Sequence, residues 1–343
     1  MDKHTPTDHS PAQPDVLAEL VRAAGRRVAP PAEDYEYVLA AAGRSWQRAV
    51  RARRRRQWAG ALAASLAVCT IGIAVYHFWT GFSSGTRPGE IAASADLVRG
   101  DVSLRRSDEA TWQPLHAGEA IKNGARLRTG AAAGASLNLS DGGMLRLNAA
   151  TELALVSGRR LHLVTGSAYI DSGERRVRDS LAVETDLGTV RDVGTVFEVK
   201  AAPRALRIRV REGRVRLDAL VGRPVLEGQA GEELQVDGAG FTQRVVFPTA
   251  GPDWAWAEAL AVSPTFDNQP LLRFLQWVAH ETGRPLQFAE AGAEAQAANV
   301  VLHGSARDLK PLEALAVMLA VTDFEYALNE DGTILIRRRA AAH

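Results

Sequence analysis

The sequence predicts a multi-domain chain with a single transmembrane helix, an all-β domain and a small C-terminal α/β domain, and three observations carry that reading. Residues 58–82 hold no formal charge and follow directly on Arg51 and the run Arg53, Arg54, Arg55 and Arg56. From about Ile91, apolar and polar residues alternate in short segments separated by glycine-bearing turns, which is the period of half-buried strands. Beyond residue 254, helical and strand periods follow one another within a short stretch.

Residues 1–14 are polar and rich in Pro, Thr and His, the composition of an unstructured tail. Val16, Leu17, Leu20, Val21 and Ala24 then recur at helical spacing. After Pro30-Pro31 a second stripe of Tyr35, Val38, Leu39, Ala42 and Trp46 predicts an amphipathic helix leading toward the membrane. Two short helices bury little core by themselves. Tyr35, Val38, Leu39 and Trp46 are therefore the candidate partner-binding residues, and a helical hairpin lying on the membrane is the other reading of the same stripe.

At about 1.5 Å of rise per residue, 58–82 is long enough to cross a hydrocarbon core of roughly 30 Å. Arginines crowd its N-terminal flank, whereas the other flank carries only Arg87 before Arg99, so the positive-inside rule places 1–57 in the cytoplasm and the rest outside. Trp58 at one end and Tyr76, Phe78, Trp79 and Phe82 at the other suit the two interfaces. A cleaved signal peptide would begin near residue 1 with a shorter apolar region. A buried core helix would not be entered from an arginine run.

Net charge is only +1, from 41 Lys and Arg against 40 Asp and Glu, so no global charge points to nucleic acid, and the local basic cluster is what topology requires. The single cysteine, Cys69, lies in the apolar span, which excludes an intramolecular disulfide and a thiolate metal site. The external domains must be stable through their cores.

Strands are expected at 96–104, 134–139, 144–147, 161–164, 167–171, 181–185, 196–199, 206–210 and 214–217, all within a β domain at 88–245. Ser140-Asp141-Gly142-Gly143 and Arg211-Glu212-Gly213 supply turns. Arg207, Arg209 and Arg211 alternate with Ile208 and Val210, which predicts a solvated cationic strand face. In the α/β domain at 254–339, a turn at Asp267-Asn268 precedes a helix with Pro270 in its first turn and Gly283 as its stop. Strands are expected at 285–288 and 299–303. A helix capped by Asp308 and a hairpin of 324–328 with 333–337 complete the domain.

Several segments of the β region occur in a specific order. They are Val98-Arg99-Gly100-Asp101-Val102, Trp112-Gln113-Pro114-Leu115, Leu127-Arg128-Thr129-Gly130 and Ser140-Asp141-Gly142-Gly143-Met144-Leu145-Arg146-Leu147. Gly166-Ser167-Ala168-Tyr169, the run from Thr185 through Gly194-Thr195-Val196-Phe197-Glu198-Val199, and Glu212-Gly213-Arg214-Val215 follow. Together they resemble the FecR domain of transmembrane anti-sigma regulators. The glycines are read as turn formers and Phe197 and Val199 as core, so these motifs identify a fold and carry no chemistry. The C-terminal part resembles the secretin/TonB N-terminal module through Phe266-Asp267-Asn268-Gln269-Pro270-Leu271, Glu281-Thr282-Gly283, His303-Gly304-Ser305 and Asp331-Gly332-Thr333-Ile334-Leu335-Ile336.

What these resemblances imply is an inner-membrane signal-transducing regulator. Its cytoplasmic partner would be an extracytoplasmic-function sigma factor, and its outer partner a TonB-dependent outer-membrane transporter or another periplasmic protein. The cytoplasmic part departs from the family, with about 57 residues where many members have about 80, and with Trp46 as its one tryptophan. The alternative is a membrane-anchored periplasmic scaffold without sigma regulation. Neither reading makes the chain an enzyme: no Gly-x-Ser-x-Gly elbow, phosphate loop or Ser-x-x-Lys pair occurs, and no cofactor is expected.

Overall fold

The computed structural model describes residue 23 and residues 89–173, 180–192, 194–219, 225–240, 242–306 and 308–339. The predicted membrane span at 58–82 and the stripe Tyr35, Val38, Leu39 and Trp46 lie outside the described residues. Among the described residues no helix is long and apolar enough to cross a membrane.

The β domain opens with β1 (Ile91–Arg99), β2 (Val102–Arg105), β3 (Gln113–Pro114), β4 (Ala120–Lys122), β5 (Ala125–Thr129), β6 (Gly134–Leu139), β7 (Met144–Leu147) and β8 (Glu152–Ser157). It continues through β9 (Arg160–Asp171), β10 (Ala182–Thr185), β11 (Gly188–Asp192), β12 (Val196–Ala202) and β13 (Ala205–Glu212) to β14 (Arg214–Ala219), β15 (Leu226–Gln229), β16 (Glu232–Asp237) and β17 (Thr242–Val246). One sheet has the order β4-β1-β6-β7-β9-β12-β13-β16-β17, and its pairs are antiparallel. The other runs β3-β2-β5-β8-β9-β10-β11-β14-β15, antiparallel except between β9 and β10.

Strand β9 belongs to both sheets. Leu161 and Leu163 pair with β8, whereas Ala168 to Asp171 pair with β7 and β12. The change happens at Gly166, whose φ is 93° and where a side chain would collide with Thr151. The expectation of separate strands at 161–164 and 167–171 is thus corrected to one strand that bends at a glycine. Similarly, 96–104 divides at Gly100 into β1 and β2, each strand entering a different sheet.

Inward residues of both sheets form one core, including Leu127, Leu137, Leu145, Leu153, Leu163, Ile170, Phe197, Val199, Ile208, Leu217 and Leu234. Period-two alternation explains most of it: along β5, Ala125, Leu127 and Thr129 are buried while Arg126 and Arg128 are exposed. The alternation fails on β7, β9 and β12, where Arg146, Tyr169, Val196 and Glu198 are buried on the outward face as well. Something covers that face.

The cover begins after β17. A short helix, α1 (Ala255–Glu258), follows a single 3-10 turn at Pro252–Trp254. Trp254 and Ala257 pack with Tyr169 and Val196, and the Leu260 side chain comes within 3.0 Å of where a Cβ on Gly134 would stand. This segment lies on the β domain.

The α/β part then contains β18 (Gln269–Pro270), α2 (Leu271–Thr282), β19 (Leu286–Phe288), α3 (Ala293–Asn299), β20 (Val301–Leu302), α4 (Pro311–Ala320), β21 (Phe324–Leu328) and β22 (Ile334–Arg338). Strand β22 is central, parallel to β19 and antiparallel to β21. Helices α2 and α4 supply Leu271, Phe274, Leu275, Val278, Leu315 and Leu319 to a core shared with Phe324, Ile334 and Ile336. Gly283 ends α2 in the left-handed conformation, as expected, and Pro270 occupies the N-cap position.

Two expectations are corrected here. Asp308 does not cap α4: the helix starts at Pro311, whose fixed φ suits a first turn, and the Glu313 carboxylate accepts the Lys310 backbone N–H at 3.2 Å. The strand at 299–303 is only β20, because Ala293–Asn299 is helical.

Candidate functional site

The buried polar residues on the outward face of the first sheet form a row across the strands. In register, Ser136 of β6 stands beside Arg146 of β7, Arg146 beside Tyr169 of β9, Tyr169 beside Glu198 of β12, Glu198 beside Arg209 of β13, and Arg209 beside Glu233 of β16. Arg209 Nε is 2.5 Å from Glu233 Oε2 and its Nη1 is 3.6 Å from Glu198 Oε2, while the guanidinium stacks 3.8 Å from the Phe247 ring centre. Burial pushes the Glu233 carboxyl up, but hydrogen bonds from Gln235 and Arg209 outweigh it and leave it below its ordinary value. The face predicted to be solvated is instead paired and covered, because the segment that covers it arrives from later in the chain.

Arg211 is the residue most removed from that prediction. The register shifts between Val196 and Phe197, which pair with Glu212 and Val210, so Arg211 is the extra residue of a β-bulge. A bulge re-aims its side chain. All five guanidinium N–H groups are used: Nε donates to Thr249 O at 2.7 Å, Nη1 to Tyr169 Oη at 3.2 Å and to Glu281 O at 2.9 Å, and Nη2 to Glu258 Oε1 at 2.9 Å and to Thr282 O at 3.0 Å. Two of these acceptors are carbonyls in the last turn of α2, where orphan acceptors and the negative end of the helix dipole favour a cation. The guanidinium also lies 4.6 Å from the Trp254 ring centre. Gly283 is needed at this point, since its φ is 62° and a Cβ there would lie 2.5 Å from Arg211 Nε.

Arg146 provides the second contact. Its Nη2 is 2.8 Å from Glu281 Oε1 and 2.7 Å from Oε2, with the two side chains only 1% and 3% exposed. Nη1 donates to Ala257 O at 3.0 Å, and the guanidinium lies 5.2 Å from the Tyr169 ring centre. Tyr169 therefore sits between two arginines, with Trp254 at 6.0 Å and Trp256 at 6.4 Å packed edge-on. Burial drives its phenol above the ordinary range, although the Arg211 and Arg146 charges pull the other way. Burial likewise raises the Glu258 carboxyl against the pull of Arg211.

At the rim, His280 Nε2 is 2.7 Å from Asp171 Oδ2 at the end of β9, and Nδ1 is 3.8 Å from Glu212 Oε2 at the end of β13. The hydrogen bond with Asp171 raises His280 above its usual value, against desolvation, and the same partnership outweighs burial to hold Asp171 below its own.

These contacts make a joint: the sheet face, the 252–260 segment and the C-terminal turn of α2 meet around Arg146, Arg211 and Tyr169. It is an arrangement for holding two folded parts together. Among the described residues no group of three or more His, Cys, Asp and Glu could hold a metal ion. In the sequence, Arg146, Tyr169 and Glu281 stand within motifs and have no role of their own, while Arg211 reads as part of a turn and of a solvated strand face. The signal that could have found them is an arginine and a tyrosine each set between apolar residues of its own strand, Leu145 and Leu147 around Arg146 and Ala168 and Ile170 around Tyr169.

Comparison with known proteins bears on the same residues. A search of curated proteins found no match. Two crystal structures from Parabacteroides distasonis, each of a protein named as a candidate anti-sigma factor, are similar at 16% identity with TM-scores of 0.33 and 0.34, covering 63% of this chain and 99% of those chains. The family described as FecR protein matches residues 125–216, from the start of β5 into β14, which is the stretch that carries Arg146, Tyr169 and Arg211.

Proposed function

We propose that the chain is a single-pass inner-membrane regulator without enzymatic activity. Its residues 1–57 would bind an extracytoplasmic-function sigma factor in the cytoplasm, and its FecR domain and C-terminal module would receive a TonB-dependent transporter or another periplasmic protein. The observation that carries the reading is the FecR match on a domain built for docking rather than for chemistry. The uncharged span at 58–82 and its arginine flank support the topology. Binding outside can alter capture inside only if the partner distinguishes two states of the external region, and a joint made of a few polar contacts is an element that can have two states.

The test is co-purification of the tagged full-length chain with the extracytoplasmic-function sigma factors of its own genome, beside a Leu39→Ala/Trp46→Ala variant. Truncating hot-spot residues costs about 2 kcal/mol or more each, so the variant should lose its sigma factor while still inserting into membranes. A periplasm-dependent reporter fused after His343 should be active in the same strains. Failure of the wild-type chain to retain any sigma factor favours the scaffold alternative, and an inactive reporter refutes the topology.

A further inference from the structure

The centre of the joint, built on Arg146, Arg211 and Tyr169, holds no imidazole among the described residues, and imidazole is the side chain whose charge most readily changes near neutrality. The rim holds one. Both ring nitrogens of His280 face carboxylates of the FecR domain, Asp171 at 2.7 Å and Glu212 at 3.8 Å. A protonated imidazole presents an N–H on each side, whereas a neutral one turns a lone pair toward one of the two carboxylates. His280 also lies in the last turn of α2, where the helix dipole favours a cation. The other charged groups close by are Glu281, next to it on α2 and already taken up by Arg146, and Arg146 itself, which acts on Asp171.

We propose that His280 is a pH-responsive latch at the rim of this joint: protonated, it fastens the C-terminal module to the FecR domain through Asp171 and Glu212, and on losing its proton it loosens that edge. The latch is a property of the joint alone and stands whether or not the chain regulates a sigma factor. The signs agree with the geometry. His280 is raised from its ordinary 6.5, so its contribution is complete below 6.5 and is lost as pH rises through the raised value. Asp171 is lowered from its ordinary 3.8, so its contribution is present above 3.8 and is lost only as pH falls through the lowered value. The joint is fastened between these limits and loosens on the alkaline side.

Hydrogen exchange of the full-length chain in detergent, at pH 5.5 and pH 8.5 and expressed as protection factors, tests this. His280 is partly exposed, and pairs of that kind are worth a roughly two- to fivefold change in an opening equilibrium. Peptides covering 249–258 and 278–284 should therefore lose about two- to fivefold in protection at the higher pH, relative to the core strand 134–139. His280→Gln should show the loosened level at both pH values and Asp171→Asn a weakened pH response, while His280→Lys should stay protected at both. Equal wild-type protection at the two pH values, or a full wild-type response surviving in His280→Gln, overturns the proposal.

Discussion

Removing one partner of the Arg146–Glu281 pair should loosen the joint, whereas removing both should not. Each side chain is almost fully enclosed, and among the described residues Arg146 Nε has no hydrogen-bond partner, so Glu281→Leu leaves a guanidinium held, among those residues, by Ala257 O, the Met144 sulfur and the Tyr169 ring. Stranding a buried charge in this way costs about 3–5 kcal/mol, and Arg146→Met should cost a similar amount by stranding the carboxylate. Replacing both by apolar residues of similar volume is commonly neutral or stabilising, so Arg146→Met/Glu281→Leu should fall within about 2 kcal/mol of the wild type. The coupling between the sites is therefore several kcal/mol and favourable, provided the module cannot escape. If it can, the single variants cap their loss by undocking, letting water reach the stranded charge, and the unfolding curve gains an early transition before the β core melts. Urea titration of a fragment starting at Gly85, followed by circular dichroism and tryptophan fluorescence, distinguishes these outcomes. Additive losses in the double variant, or single losses within about 0.5 kcal/mol of zero as for an exposed position, would refute the reasoning.

Gly283→Ala should undock the module with α2 intact, because the new Cβ meets Arg211 Nε and the left-handed φ is strained as well; faster exchange at 249–258 with unchanged helical ellipticity is the expected signature. Phe197→Asp places an unpaired carboxylate at a position with no solvent exposure and should lower stability by at least about 3–5 kcal/mol, and a wild-type melting curve would contradict the core assignment.

Strands 134–139, 144–147 and 324–328 were legible because their sequences follow a two-residue period and each is closed by a glycine-bearing turn, at 140–143 or 329–332, and they match their observed bounds. Helix α3 was hidden: in Ala293–Asn299 only Ala293 and Ala297 are buried, a pair too small to produce an apolar stripe. The joint was hidden for a different reason. Alternation correctly places Arg207, Arg209 and Arg211 on the outward face, yet what lies over that face comes from Phe247, Trp254 and the end of α2, tens of residues away. Local periodicity tells which way a side chain points and not what it will meet.

The sharing of β9 between the two sheets sets an order on folding. In each sheet the strands on one flank come from β1–β8 and those on the other from β10–β17, and β9 is where the flanks meet. The first eight strands emerge with their apolar faces ready but with neither sheet bridged, and the loop-closure entropy of joining them is not recovered until residues 160–171 are in place. One strand then adds hydrogen bonds to both layers in a single step and offers the later strands two growing edges. Folding of this domain is therefore gated by its middle, so the earlier half should remain open to chaperones until β9 has been synthesised and can pair.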